Sequence, residues 1–197
     1  NAYGGKFDNN TVTTTTTTQA IRVYSSGLTS FWNNRAKSTS GIRYYQFGQT
    51  ISAYHCNFTG AQGTDVQIDN SGKLKAYDTY INSATTGAGA SVETYWRANI
   101  SVKWLSNDQG VPGAMVDLMD ARNIQFASGI NTDAQGMIRN IYMMEFIKDT
   151  GGKKNASPYW INATFTKNAK DYFNHSKANM TNATNNFQVV LDDIPPP

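Results

Sequence analysis

The chain has 197 residues, room for one large or two small domains, and only 16% of them are charged, with a net charge of +3. Its lysines and arginines are scattered rather than clustered, so the charge leaves no footprint for nucleic acid. No stretch approaches the ~20 apolar residues of a membrane-spanning helix, and no charged-then-apolar leader opens the chain. The first residues, Asn1-Ala2-Tyr3, read as the start of a processed chain or of a piece of a longer one.

Residues 1–20 form a Thr-rich extended N-terminal arm in which Thr13 to Thr18 are consecutive. Threonine favours extended backbone, but threonine on both faces of a strand buries no core. Two readings stay open: a disordered, O-glycosylated arm, or a strand that pairs with the sheet edge of a neighbouring subunit.

Residues 21–97 carry a weak repeat of an aliphatic residue, two residues later another apolar one, and then a glycine. Ile21-Arg22-Val23 leads to Gly27, Ile42-Arg43-Tyr44 to Gly48, and Val66-Gln67-Ile68 to Gly72. After the last two glycines, Ile51-Ser52-Ala53-Tyr54 runs in step with Leu74-Lys75-Ala76-Tyr77, and a degraded further copy starts at Val92. A period in the low twenties is that of a β-solenoid, whose coils bury their inward residues against one another. In outline the segment resembles the β-helix repeat proteins of archaeal and bacterial surfaces. An antiparallel β-meander with turn glycines is the alternative. The aromatics of this half, Trp32, Tyr44, Tyr45, Tyr54 and Tyr77 among them, fall on both parities of a strand, so some point outward. An outward row of rings suits a sugar face or a neighbouring subunit. The single cysteine, Cys56, cannot staple the fold and reads as a buried, inert thiol.

Residues 98–193 alternate as strands separated by tight turns. Ile100, Val102 and Trp104 (or Leu105) lead to a turn at Asn107–Gly110; Val116 and Leu118 follow, and Asn131–Gly136 turns the chain again before Met137. Further strands run through Ile138–Ile147, Tyr159–Phe165 and Phe187–Leu191, with a turn at Asp149–Lys154. The polar stretch Ala169–Ala183 reads as a loop or one short helix. Two runs, Asp108-Gln109-Gly110-Val111-Pro112-Gly113-Ala114 and Thr132-Asp133-Ala134-Gln135-Gly136, resemble the turns of Ig-like or prealbumin-like β-sandwich modules of bacterial and archaeal surface proteins, such as the carboxypeptidase-regulatory-like repeats. The resemblance implies an Ig-like β-sandwich serving as a spacer or assembly element without catalysis. Residues 194–197 are a Pro-rich tail with the composition of a stiff linker.

The most informative chemical signal is the glycosylation sequon Asn-x-Ser/Thr. It occurs at Asn9, Asn57, Asn99, Asn155, Asn162, Asn174, Asn179 and Asn182, five of the eight between Asn155 and Asn182. Catalytic constellations are thin. His55 and His175 have no zinc-ligand spacing, His55 reading as a surface strand residue, and no nucleophile elbow or phosphate loop is present. A polysaccharide-lyase reading would use Asp69, Lys73, Lys75 and Asp78. Asp117, Asp120, Asp133 and Asp149 read as turn formers before calcium ligands. The sequence therefore predicts an all-β protein: a short β-solenoid or β-meander followed by an Ig-like β-sandwich. The expected role is a non-enzymatic extracellular structural glycoprotein that self-assembles into a surface filament, sheath or S-layer, of the kind found on archaea. Its partners would be copies of itself, through β-edge pairing and aromatic packing, with no cofactor, no metal and no nucleic acid. The alternative is an adhesin or carbohydrate-binding module.

Overall fold

The computed structural model describes residues 6–14, 19–24, 30–38, 41–60, 63–181 and 183–193. Among them the protein is all β, and no helix is long and apolar enough to cross a membrane. The chain divides into two compact units, one of Asn1–Tyr95 with Phe146–Lys154, the other of Trp96–Glu145 with Asn155–Pro197. Phe146–Lys154, which the sequence places in the sandwich half, thus groups with the first unit.

The first unit holds β1 (Lys6–Asp8), β2 (Thr11–Thr14), β3 (Ile21–Tyr24), β4 (Ser30–Trp32), β5 (Arg35–Ser38), β6 (Tyr44–Phe47), β7 (Thr50–Tyr54), β8 (Val66–Asp69), β9 (Lys73–Tyr77), β10 (Ala84–Thr86) and the start of β11 (Ser91–Trp104). These strands pair in parallel, not antiparallel as a meander would. One ladder runs β1-β4-β7-β9-β11 and a second β3-β6-β8-β10. A third, β2-β5, is extended by single bridges from Arg35 to Asn57 and from Asn57 to Tyr80. Along the first ladder Lys6 lies on Ser30, Ser30 on Ser52, Thr50 on Lys73 and Lys73 on Ser91, steps of 24, 22, 23 and 18 residues.

Ile51–Tyr54 lies on Leu74–Tyr77 residue for residue. The earlier copies are offset from the sequence alignment, because Ile21 pairs with Tyr44 and not with Ile42. The ring of Tyr44 explains the offset. It is fully buried, edge-on to Phe31 at 5.5 Å and stacked on Phe58 at 5.0 Å. Ile51, Leu74 and Val92 form an aliphatic column beside it, each with no exposed surface.

The described part of the arm is paired within the chain. β1 and β2 pair with β4 and β5 of the same chain, where Phe7 and Val12 supply the apolar contact that threonine lacks. Thr15 to Thr18 and the Pro-rich tail lie outside the described residues.

Successive repeats turn at the same corner. Asn9, Asn33, His55 and Asp78 occupy it with φ of 58°, 52°, 53° and 44°, a left-handed conformation that Asn, Asp and His tolerate better than most side chains. His55 is therefore a corner residue just past β7, not a strand residue. The residue after each corner is polar and turned inward. The N–H and Nδ2 of Asn10 donate to Oδ1 of Asn34 at 3.0 and 3.2 Å. The N–H of Asn34 donates to Sγ of Cys56 at 3.4 Å, and that of Cys56 to Oγ1 of Thr79 at 3.2 Å. Asn34 also donates through Nδ2 to the carbonyls of Phe7 and Trp32.

The second unit uses β12 (Met115–Met119), β13 (Gln125–Asn131), β14 (Met137–Asp149), β15 (Gly152–Asn155), β16 (Tyr159–Lys167), β17 (Lys170–Ala178) and β18 (Asn185–Leu191), with β14 crossing into the first unit and β15 lying almost wholly there. Its sheets are sandwich-like. The order β13-β12-β16-β17 is antiparallel, while β18 runs parallel to β11, Ala98 on Asn185 through Trp104 on Leu191. Val116, Leu118, Ile161, Ala163, Met143 and Leu191 are fully buried between them. The stretch read as a loop or helix holds β17. Its inward positions, Tyr172, Asn174 and Ser176, are only half-buried, so the strand needs no aliphatic row to form. In β14, Ile138 and Met143 face inward from opposite parities, and Asn140, with φ 54°, is the bulge that shifts the register.

The two motif turns interlock. Thr132 is buried, donating its hydroxyl to the carbonyl of Val111 at 2.6 Å and accepting from the N–H of Ala114 at 2.9 Å. Gly136, with φ 73°, lies so close that a Cβ there would sit 2.4 Å from the nitrogen of Val111. Gly113 has a similar φ of 72° but open space around it. Gly113→Ala should therefore cost roughly 1 to 2 kcal/mol, the left-handed backbone penalty alone. Gly136→Ala should cost about 2 kcal/mol more because backbone has to move. Urea denaturation of both variants measures the difference, and equal costs would refute the interlock.

Candidate functional site

A shallow cleft of about 450 Å³ in the first unit is lined by Lys73, Ser91, Asp149 and Lys154 with small turn residues. Its acidic group is already engaged, since Asp149 accepts from Lys154 at 2.7 Å and from the N–H of Gly151 at 2.8 Å. These bonds hold the Asp149 carboxyl below the usual carboxylate range, the Lys154 bond being the largest cause. Two aromatic faces have a clear geometry.

On the first unit, Trp32, Tyr54, Tyr77 and Tyr95 occupy one register position of the β4-β7-β9-β11 ladder. Their ring centroids are 4.1, 4.8 and 4.7 Å apart, with interplanar angles of 12°, 9° and 20°. Those spacings are close to the strand separation itself, which is why an in-register parallel ladder stacks identical side chains so readily. Each inner ring has both faces covered by its neighbours, so the column presents edges rather than platforms. Burial raises the Tyr77 phenol above its ordinary pKa, helped by Tyr54 and Glu93. Tyr95 donates its hydroxyl to Glu93 at 2.7 Å.

On the second unit, the solvent side of β12-β16-β17 is a grid fixed by strand register. Met119, Trp160 and Lys177 form one row, Asp117, Asn162 and His175 the next, and Met115, Thr164 and Phe173 the third. Trp160 is 39% exposed and Phe173 63%. The His175 ring stands edge-on to Trp160 at 5.5 Å and tilted to Phe173 at 6.3 Å, and the Lys177 ammonium lies 5.4 Å from the Trp160 centroid. These rings, unlike those of the column, are not stacked face to face and expose apolar surface.

The chain shows a loose likeness to the shaft pilin SpaA from Lactobacillus rhamnosus GG. A crystal structure of that pilin matches over 59% of this chain and 55% of its own length, at 14% identity and a TM-score of 0.23. A double mutant of the same pilin matches over 59% and 56%, at 13% identity and a TM-score of 0.28. The matches thus span little more than half of the pilin. No family model matches the sequence, and neither does any curated protein.

The sequons divide by what their amides do. Asn99 donates through Nδ2 to Asn186 at 2.9 Å and accepts from the N–H of Asn140 at 3.0 Å. Asn174 donates to the carbonyl of Val190 at 2.7 Å, and Asn57 holds the hydroxyl and N–H of its own sequon threonine, Thr59. Asn9, Asn155 and Asn179 are exposed at bends or strand ends, and Asn162 stands mid-strand on the grid. Asn182 lies outside the described residues.

The residues of the lyase reading are not brought together. Asp69 ends β8 and accepts from Gln67, Lys73 and Lys75 lie on β9 of another ladder, and Asp78 pairs with His55 at 3.5 Å. Asp120, Asp133 and Asp149 serve their own turns, but Asp117, read as a turn former, lies mid-strand in β12 and bonds across to β13. Asp117 accepts from Ser128 and Gly129, Asp120 from Arg122 and Ile124, and Asp133 from Gln135, Met137 and Arg139. Among the described residues no group of three potential ligands is placed to hold a metal.

Cys56 is buried within the corner ladder, accepting from Asn34 and donating its S–H to the carbonyl of Tyr54 at 3.3 Å. Burial pushes its thiol above the usual range, outweighing the hydrogen bonds that favour the thiolate. The folded protein should therefore resist iodoacetamide at pH 8 and react stoichiometrically once denatured. Labelling of the native chain at the rate of an exposed cysteine would contradict the assignment.

Proposed function

We propose that this chain is a non-catalytic, extracellular structural subunit that self-assembles on a cell surface as a filament, sheath or S-layer. In this reading the first unit is a short β-solenoid and the second a sandwich spacer. The observation that carries it is the open layer formed by β1, β2 and β3. Each has a single strand neighbour among the described residues, and an edge of that kind is where a further strand adds through backbone N–H and C=O groups. The carbonyl of Asn10 accepts from Arg35, which directs the even-numbered residues of β2 inward and leaves Thr11 and Thr13 facing the open edge. The stacked column of Trp32, Tyr54, Tyr77 and Tyr95 supports the same reading, because it stiffens a ladder and both faces of its inner rings, Tyr54 and Tyr77, are taken up by stacking.

A second reading, a carbohydrate-binding module, is favoured by the exposure of Trp160 and Phe173. Glycan-array binding by a stable monomer would bring it forward.

Electron microscopy of the native protein should show regular polymers. Thr13→Pro removes one outward N–H while leaving the bonds between β2 and β5 in place. This variant should fold with an unchanged circular-dichroism spectrum and fail to polymerise. Normal polymers from it would rule out the β1–β3 edge as the contact, and dispersed wild-type monomers would overturn the subunit reading.

A further inference from the structure

Asn162 stands at the centre of the solvent-facing grid, with Trp160 two residues before it on the same strand and face and its sequon hydroxyl, Thr164, two residues after. Cross-strand neighbours complete the surround: His175 directly opposite on β17, Asp117 opposite on β12, and Phe173 and Lys177 on the diagonals. Directly opposed side chains are ~5 Å apart at Cβ and diagonal ones ~7 Å, within reach of aromatic rings. Two large rings and two methionines, Met115 and Met119, therefore expose apolar surface around one asparagine.

That arrangement is costly in water unless something covers it. No described residue hydrogen-bonds the carboxamide of Asn162, as none bonds that of Asn155 at the end of β15, whereas the amides of the mid-strand sequons Asn99 and Asn174 are engaged with neighbouring strands. The Thr164 hydroxyl is likewise without a described partner. A pyranose linked at Asn162 could lay its C–H face on the open ring of Trp160 or Phe173, as apolar faces pack on aromatics. Its hydroxyls would then meet the ammonium of Lys177 and the imidazole of His175.

We propose that Asn162 carries an N-linked glycan and that Trp160 and Phe173 are its platform, so that the sugar is a packed part of the sheet surface rather than a free chain. The inference rests on the extracellular reading above. The linkage forms when Nδ2 of Asn162 displaces a polyprenyl phosphate or pyrophosphate from C1 of a lipid-linked oligosaccharide. The C1–Nδ2 bond forms and the C1–O bond breaks. The lipid phosphate leaves with the electron pair, and the amide proton passes to a base of the transferase.

Glycopeptide mass spectrometry on protein from its native source should find sugar on the Asn162 peptide and none on those of Asn99 and Asn174. An unmodified Asn162 overturns the proposal. The platform is read separately by a cycle of Asn162→Gln with the Trp160→Ala, Phe173→Ala double variant, all expressed in the native host. Loss of the glycan should lower the melting temperature by roughly 2–4 °C in the wild-type background, the shift expected for about 1 kcal/mol, and by much less when the rings are gone. Equal shifts in both backgrounds would overturn the platform. Should the ring variant fail to fold, oxidation of the Trp160 indole is compared with and without the glycan: slower oxidation beneath the sugar supports the platform, and equal rates overturn it. Regular polymers with a bare Asn162 would sink this inference and leave the subunit reading intact, and a glycosylated monomer would do the reverse.

Discussion

A chain that turns back on itself every twenty-odd residues must bury polar backbone at each corner, and an unpaired buried peptide group costs about as much as a lost hydrogen bond. The first unit meets this demand with one side chain per repeat. Asn10, Asn34, Cys56 and Thr79 stand one above the next, each of the last three accepting from the backbone N–H of the residue one step earlier. Thr79 completes the row by donating to the carbonyls of Ala53 and Tyr77. The column of Ile51, Leu74 and Val92 can be dry because this row takes the polar load. Cys56 belongs to the row in the place where an asparagine stands one repeat earlier, its sulfur a weaker and longer-range acceptor than oxygen. Burial among these partners, rather than redox chemistry, accounts for it.

The two aromatic faces show how strand direction governs what a ring can do. Parallel, in-register pairing places equivalent positions one strand spacing apart, so Trp32, Tyr54, Tyr77 and Tyr95 close on one another. Antiparallel pairing on β12-β16-β17 brings unlike positions together, leaving Trp160 beside Lys177 and Phe173 beside Thr164. Both rings stay exposed. A row of rings in one sequence is thus internal stiffening in the first unit and unspent surface in the second.

Much of this was readable in the sequence, though not always at the residues that first suggested it. The in-step run Ile51–Tyr54 with Leu74–Tyr77 gives the true register, although the turns that lead into the two strands differ by one residue. The alignment of Ile21 with Ile42 fails because aliphatic character alone cannot tell that the Tyr44 ring fills the core and that Arg43 is buried beside Asp65. A sharper signal lay in the corner. Asn9-Asn10, Asn33-Asn34, His55-Cys56 and Asp78-Thr79 recur at the repeat spacing, but their side chains share no hydropathy, only tolerance of a left-handed backbone and the capacity to accept a hydrogen bond. The strand Lys170–Ala178 was hidden for a similar reason. A half-buried edge strand alternates without needing large apolar residues, so its period is faint. In the candidate surface, the sequon at Asn162 was legible as a motif, but its aromatic neighbours on β17 come from cross-strand register and leave no local trace.

The pairing of β18 with β11 has a mechanical meaning. The two strands run in the same direction through seven matched positions, from Ala98 on Asn185 to Trp104 on Leu191. Tension that draws the chain after Leu191 one way, against a hold on the chain ahead of Ala98, acts along the strands and from opposite ends. The hydrogen bonds between them are then loaded together in shear, instead of opening one after another as they would in a hairpin pulled from its mouth. Such a clasp yields only when the whole row gives way, which suits a segment that passes load from one end of a chain to the other.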